Sequence, residues 1–337
     1  MTIQDAISHV ADFGDLTRAE AGGVMRQLMR GEGSDAQLGA LLVGLRMKGE
    51  TVEEITGFAE VMREMATPVK ISREHLVDTC GTGGTHSGTF NISTTAAFVV
   101  AGAGLAVAKH GNRSATSKCG SADVLEALGV NLDASPETIA KCVDEIGIGF
   151  LFARTLHGAM KHVAGPRAEM KTRTIFNLLG PLTNPAGADA QVMGVYDSSR
   201  VEAIARVLSN LGSRHAFVVA GSDGMDELTL AGPTLVAEAL GGDVKTFEIS
   251  PEDVGLGPAS NEEIQGQDAE HNAKILRDVL GGERGPHRDI VLFNAAAAII
   301  AGGASEDWKP AIDVATQSID SGSALKKLDA LIALSQA

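Results

Sequence analysis

Cysteine, positive charge and long apolar runs are all scarce in this chain of 337 residues, and each scarcity closes off a class of function. The three cysteines, Cys80, Cys119 and Cys142, are odd in number and lack the paired spacing of a metal site. They read as small buried hydrophobes in a protein of a reducing compartment, with no neighbouring base to make any of them a nucleophile. No uninterrupted apolar stretch approaches the roughly 20 residues that a membrane helix needs. The start Met1-Thr-Ile-Gln-Asp5 is polar, so the expectation is a cytoplasmic protein with no membrane partner. Lysine and arginine number 28 against 43 acidic residues, a formal charge of -15. That excess repels nucleic acid as a bulk partner. Missing too are the Gly-Lys-Ser/Thr ending of a P-loop, the GxGxxG dinucleotide fingerprint with its downstream acid, and any visible triad or zinc set.

What remains is an ordinary soluble composition, 44% hydrophobic, in a chain long enough for two domains. Residues 1–67 carry apolar positions at helical spacing and no strand-like alternation. Three capping boxes open predicted helices there: Thr17 with Glu20, Ser34 with Gln37, and Thr51 with Glu54. From residue 74 to 337 the pattern becomes strand, glycine loop, helix, repeatedly. Strands are predicted at 76–80, 105–109, 150–152, 191–196, 216–220, 234–240 and 244–249. Helices are predicted at 94–103, 122–128, 135–146 and 199–211, and the stretch from Asn261 onward is mostly helical. The fold class is therefore α/β: a small N-terminal helical domain, with helices near 168–184 packing on it, and a large domain around a mainly parallel sheet. Gly180-Pro181-Leu-Thr-Asn184-Pro185 breaks the preceding helix as either a hinge or a rigid turn.

Two loops one helix apart carry the strongest chemical signal. The first, Gly81-Thr-Gly-Gly-Thr-His-Ser-Gly88, lets backbone N–H groups approach a ligand, and Ser93-Thr94 opens a helix whose positive end favours an anion. The second, Lys109-His-Gly-Asn-Arg-Ser114, adds charge that short hydroxyl side chains lack. Together they form a cradle for two phosphate groups at the carboxyl ends of parallel strands. A second cationic stretch holds Lys161, His162, Arg167, Lys171 and Arg173; solvated helix faces explain most of it. Arg167, after Pro166, is either a guanidinium clamp for a carboxylate or a surface arginine. Gly221-Ser-Asp-Gly-Met-Asp226-Glu227 follows a predicted strand, and three carboxylates within five residues there favour magnesium over a plain acidic turn. His110 and His157 lie near these loops without an evident partner and read as positioning groups.

These blocks, with Thr89-Phe-Asn-Ile-Ser-Thr94, Gly120-Ser-Ala-Asp123 and Arg173-Thr-Ile-Phe-Asn-Leu-Leu-Gly-Pro181, resemble the anthranilate phosphoribosyltransferase family over nearly the whole chain. The resemblance implies the fold shared with pyrimidine nucleoside phosphorylases, a homodimer through the helical domain, and magnesium as cofactor. The implied substrates are phosphoribosyl pyrophosphate and anthranilate, joined in the second step from chorismate to tryptophan. It places Gly81, Gly84, Thr85, Thr89, Asn91, Ile92, Ser93, Thr94 and Ser121 on phosphoribosyl pyrophosphate. With them it places the run Lys109, His110, Gly111, Asn112, Arg113, Ser114, Ala115, Thr116 and Ser117. Gly81, Asn112, Arg167 and His157 would meet anthranilate, and Ser93, Asp226 and Glu227 would hold the metal. Lys109, Arg113 and His110 are the implied catalytic groups.

The chain departs from the family pattern at Thr85, where an acid is usual, at His86 for a glycine, and at Arg154 and Gly158 for two prolines. A lost carboxylate beside the pyrophosphate would alter magnesium dependence, and the two lost prolines would loosen the anthranilate path and add a cation to it. Two other readings stand beside the transferase: a nucleoside phosphorylase of the shared fold, and a non-catalytic nucleic-acid-binding relative. Arg167 and the 109–114 block argue against the former, the acidity and the Asp226-Glu227 pair against the latter.

Overall fold

A computed structural model describes residues 1–84, 88–114 and 118–337. The N-terminal bundle comprises α1 (Ile3–Ala11), α2 (Arg18–Met29), α3 (Asp35–Lys48) and α4 (Val52–Met65). All three predicted capping boxes form, and a fourth, Thr2 with Asp5, opens α1. The helix Lys161–Met170 and the short turns Phe176–Leu179 and Gly180–Leu182 return to this bundle. There Val163, Phe176, Leu179 and Leu182 share a core with Leu41, Ile55 and Phe58.

Seven strands form one sheet: β1 (Leu76–Gly81), β2 (Ala106–Gly111), β3 (Ile148–Phe152), β4 (Ala190–Gly194), β5 (His215–Gly221), β6 (Thr234–Leu240) and β7 (Asp243–Ile249). Their order is β3-β2-β1-β4-β5-β6-β7. The first five strands run parallel, and β6 and β7 close the edge antiparallel. Every predicted strand is present, with ends displaced by up to two residues. β3 begins at Ile148, before the aromatic run that marks it in the sequence, because Gly147 ends the preceding helix with a left-handed φ of 85°.

Successive strand residues face opposite layers. Val77, Val192 and Phe217 join one core with α5 (Ile92–Gly102) and the helices Pro286–Ala301 and Trp308–Asp320. Met193, Val218 and Ala237 join the other with the helix Val201–Asn210 and the bundle. No helix among the described residues is long and apolar enough to cross a membrane.

The chain winds outward from β1 through β2 to β3, then returns to β4 on the other side of β1. The carboxyl ends of β1 and β4 therefore flank a topological switch point, where α/β sheets leave a crevice. Both phosphate loops, the helix α5 and the acidic turn after β5 gather at this edge.

Candidate active site

A cavity of about 340 Å³ opens at the switch point. Its floor is the end of β1. Cys80 to Gly84 line it, with Gly83 and Gly84 at φ of 66° and 78°. Across from them the acidic turn comes close enough that glycine is required at two strand ends. A Cβ on Gly81 would meet the Asp226 carboxylate, and one on Gly194 would overlap the Asp226 carbonyl.

α5 begins at Ile92, two residues before the predicted start, and no side chain caps it. Its first-turn donor Ser93 N–H is instead taken by Glu227 Oε1 at 3.2 Å, while Gly83 N–H donates to Asp226 Oδ2 at 2.7 Å. Each carboxylate thus spends one oxygen on a backbone donor. Burial first, then the adjacent Asp226, pushes Glu227 up to about 8, and burial also raises Asp226. Two neighbouring acids held this way suit a hard divalent cation, and among the described residues no third histidine, cysteine or acid completes a protein-only set. That donor count fits magnesium, which takes one or two carboxylates and fills its remaining positions with water and substrate phosphates.

The third predicted acid does not join them. Asp223 folds its own turn, accepting from Met225 N–H at 3.2 Å and from Thr229 Oγ1–H at 2.8 Å.

Four cations line the cavity: Lys109, Arg113, Arg167 and Arg173. Lys109 is almost fully buried and donates to the Thr79 carbonyl at 2.5 Å; burial lowers its pKa, opposed by the charges of Asp78 and Glu227. Arg113, expected as a free catalytic charge, is already neutralised by Asp123 at 2.8 Å and by both oxygens of Glu126 at 2.7 and 2.9 Å. Asp123 also accepts from Ser114 and Gly120 N–H, so this acid shapes the basic loop. Arg167 has no carboxylate partner among the described residues; its guanidinium carbon lies 4.7 Å from the Phe176 ring centroid and burial lowers its pKa. Arg167 is half-buried and lines the cavity. By contrast Lys161, His162 and Lys171 of the same stretch are exposed.

His110 and His157 do have a partner, each other, with their Nε2 atoms 3.2 Å apart. Burial pushes them down to about 3 and about 4, so both are neutral near pH 7. Proton transfer by His110 is thereby disfavoured. Below it Asp78, buried in β1 and pushed up to about 6 by burial, accepts from His110 N–H at 3.0 Å and from Asn184 Nδ2 at 2.8 Å. Asn184 also binds the Ala108 carbonyl, which ties this end of the Gly180–Pro185 turn to β1 and β2. Asp78 is absent from the residues expected at the site, although an acid inside an apolar strand is itself a sequence signal for such a network.

Of the other expected contacts, Gly81, Gly84, Asn91, Ser93, Thr94, Gly111, Asn112, Ser114 and Ser121 line the cavity. Thr89, Ile92 and His157 do not. Thr89 is bridged to Gln265, the Ile92 side chain enters the core because it points down the inner face of α5, and His157 sits behind His110. Thr85, His86, Ala115, Thr116 and Ser117 lie outside the described residues. Arg154 is exposed and does not line the cavity. Burial raises the pKa of all three thiols, to about 11 for Cys119 and Cys142, which keeps them protonated.

The glycosyl transferase family a/b domain matches residues 73–325, and the helical bundle domain of the same family matches residues 4–66. An anthranilate phosphoribosyltransferase of Symbiobacterium thermophilum is 58% identical over 96% of this chain and 95% of its own length. The chain belongs to the anthranilate phosphoribosyltransferase family. The enzyme of this family from Thermus thermophilus superposes with a TM-score of 0.94 at 45% identity, over 99% of this chain and all of its own. The Saccharomyces cerevisiae enzyme, solved in complex with PRPP and Mg, superposes with a TM-score of 0.91 at 28% identity, covering 99% of this chain and 98% of that one.

Proposed function

We propose that this chain transfers the phosphoribosyl group of phosphoribosyl pyrophosphate to the amine of anthranilate, releasing pyrophosphate, as the second step from chorismate to tryptophan. One observation carries the reading: a single cavity holds a helix N-terminus, a buried lysine and two metal-suited carboxylates, together with an arginine, Arg167, that has no acidic partner among the described residues. The first three suit a pyrophosphate and its cation; the last suits the carboxylate of an aromatic acid stacked toward Phe176. A nucleoside phosphorylase has no need of that clamp.

In the reaction the anthranilate nitrogen bonds to the anomeric carbon while the bond from that carbon to the pyrophosphate oxygen breaks, and the nitrogen then releases a proton. An aromatic amine is neutral near pH 7 and needs no strong base, in keeping with two neutral histidines at the site. The difficult event is loss of the leaving group. Asp226, Glu227 and Ser93 would hold magnesium, which supplies positive charge to the departing oxygens. The N-terminus of α5, the glycine-loop N–H groups and Lys109 contribute fixed positive potential at the same place, and Asp78 with Asn184 keeps His110 and β2 in register. We further take the enzyme to be cytoplasmic and to act as a homodimer through its helical bundle.

Turnover is followed as loss of anthranilate fluorescence in the presence of phosphoribosyl pyrophosphate and magnesium. No conversion across a magnesium titration would overturn the proposal. Arg167→Ala is expected to raise the Michaelis constant for anthranilate roughly 10- to 100-fold, the worth of a charge-assisted carboxylate contact.

A further inference from the structure

Of the four cavity cations, Arg113 and Arg173 have no part in the chemistry above, and of these two only Arg113 is paired with acids. The guanidinium carbon of Arg173 lies over the ring of Tyr196, the chain's single tyrosine, 3.7 Å from the centroid, so the charge rests on the ring face. One N–H is donated to the Gly84 carbonyl at the end of the described glycine loop. No carboxylate lies within ion-pair distance of it among the described residues. Its charge nevertheless reaches the metal-suited acids, since it is one of the influences that favour ionised Asp226. A guanidinium has five N–H donors, and among the described residues most of the fork has no hydrogen-bond partner beside the loop that faces the leaving group.

The backbone of Arg173 is held from the other side. Arg46, in α3 of the helical bundle, donates to the Arg173 carbonyl at 2.9 Å and to the Thr172 hydroxyl. Tyr196 is itself tied to the glycine loop, its N–H donating to Thr82 Oγ1 at 3.3 Å while Thr82 N–H donates to the Gly194 carbonyl at 2.9 Å. Arg173 therefore joins the bundle, the glycine loop and the end of β4. A Cβ on Gly84 would collide with the guanidinium, so the glycine serves this approach as well as its own left-handed φ.

We propose that Arg173 is a pyrophosphate-binding cation of this site, oriented by the ring face of Tyr196 and by the Arg46 anchor of the bundle. The inference rests on the transferase reading. Lys109 shares its charge with Asp78 and Glu227, and Arg113 is neutralised by two acids; neither matches the several charges of a departing pyrophosphate. Arg167 stands over Phe176 and is assigned to the second substrate. Arg173 alone among the four combines an unneutralised fork with contact to the glycine loop.

The test separates binding of pyrophosphate from general loop order. Arg173→Gln is expected to raise the Michaelis constant for phosphoribosyl pyrophosphate by about 10- to 100-fold and to weaken binding of magnesium pyrophosphate, titrated calorimetrically without turnover, by a similar factor. The Michaelis constant for anthranilate should move less than about twofold. Arg173→Lys should recover only part of the loss, because an ammonium neither forks nor stacks. Tyr196→Leu, which leaves the cation in place and removes its support, should shift the same two quantities in the same direction by a smaller factor, and it decides the matter if Arg173→Gln fails to fold. Unchanged pyrophosphate affinity in Tyr196→Leu and Arg173→Gln, or an equal rise in both Michaelis constants, overturns the inference while leaving the transferase reading intact. A wild-type protein that turns over no phosphoribosyl pyrophosphate overturns that reading instead.

Discussion

Glu227 is a residue whose protonation is set by its surroundings, burial first and then the adjacent Asp226. A carboxyl pushed up to about 8 carries a proton near neutrality in the free protein, and a metal-bound carboxylate cannot keep it. The sign follows directly. Below pH 8 the binding of magnesium with pyrophosphate must expel a proton from Glu227, so affinity rises with pH, by at most about tenfold per unit, and levels off above pH 8. Calorimetry near neutral pH in two buffers of different ionisation enthalpy should therefore report release of close to one proton. Glu227→Gln should abolish that release together with most of the metal affinity. Proton-neutral binding by the wild-type protein would mean that Glu227 is already ionised and that its burial is offset by a partner.

The helices show how much a short pattern specifies. The Thr51 to Glu54 box is legible because the hydroxyl and the carboxylate stand three residues apart ahead of an apolar run. What the pattern cannot reveal is that Glu54 is fully buried and, beyond the Thr51 N–H of the box, serves two further groups. It accepts from Leu16 N–H at 2.9 Å and Thr51 N–H at 2.8 Å, and pairs with the nearly buried Lys48 at 3.0 Å. Glu54→Ala should cost about 3–5 kcal/mol in urea unfolding, because it leaves a buried amide and a buried ammonium short of partners. Glu54→Gln keeps an acceptor for the amides and should cost less than half as much; equal losses would mean that the charge pair with Lys48 dominates. The strand edges are less legible. β3 starts on Ile148-Gly149, and a glycine inside a strand weakens the pattern that marks its beginning.

At the scale of the whole molecule, the bundle exposes Phe13, Val43 and Met47, at 67%, 41% and 72% of their surfaces. Val43 and Met47 lie four residues apart on α3 and so share a face. A homodimer through this face is the expectation, and paired Val43→Glu and Met47→Glu changes should convert it to monomers in sedimentation velocity. A wild-type protein that sediments as a monomer at micromolar concentration would remove the bundle interface from the account. The sheet order explains why a site exists at this edge at all: the chain reverses direction of travel between β1 and β4, and the loops after β1, β2 and β5 converge on the gap.

Taken alone, the amino-acid sequence determined whatever depends on neighbours a few residues apart. Capping boxes, glycine loops, the alternation of strand and helix, and the order of the family-like blocks are all of that kind, because backbone preference and hydrophobic period act locally. Tertiary structure alone decided which charges are free. Arg113 meets Asp123 and Glu126, ten and thirteen residues along the chain, while Arg173 meets Tyr196 and Gly84, the latter eighty-nine residues away. It decided protonation as well, raising Glu227 and lowering His110 through burial. Charge pairing and desolvation depend on distance and dielectric in three dimensions, and no spacing along a chain encodes either.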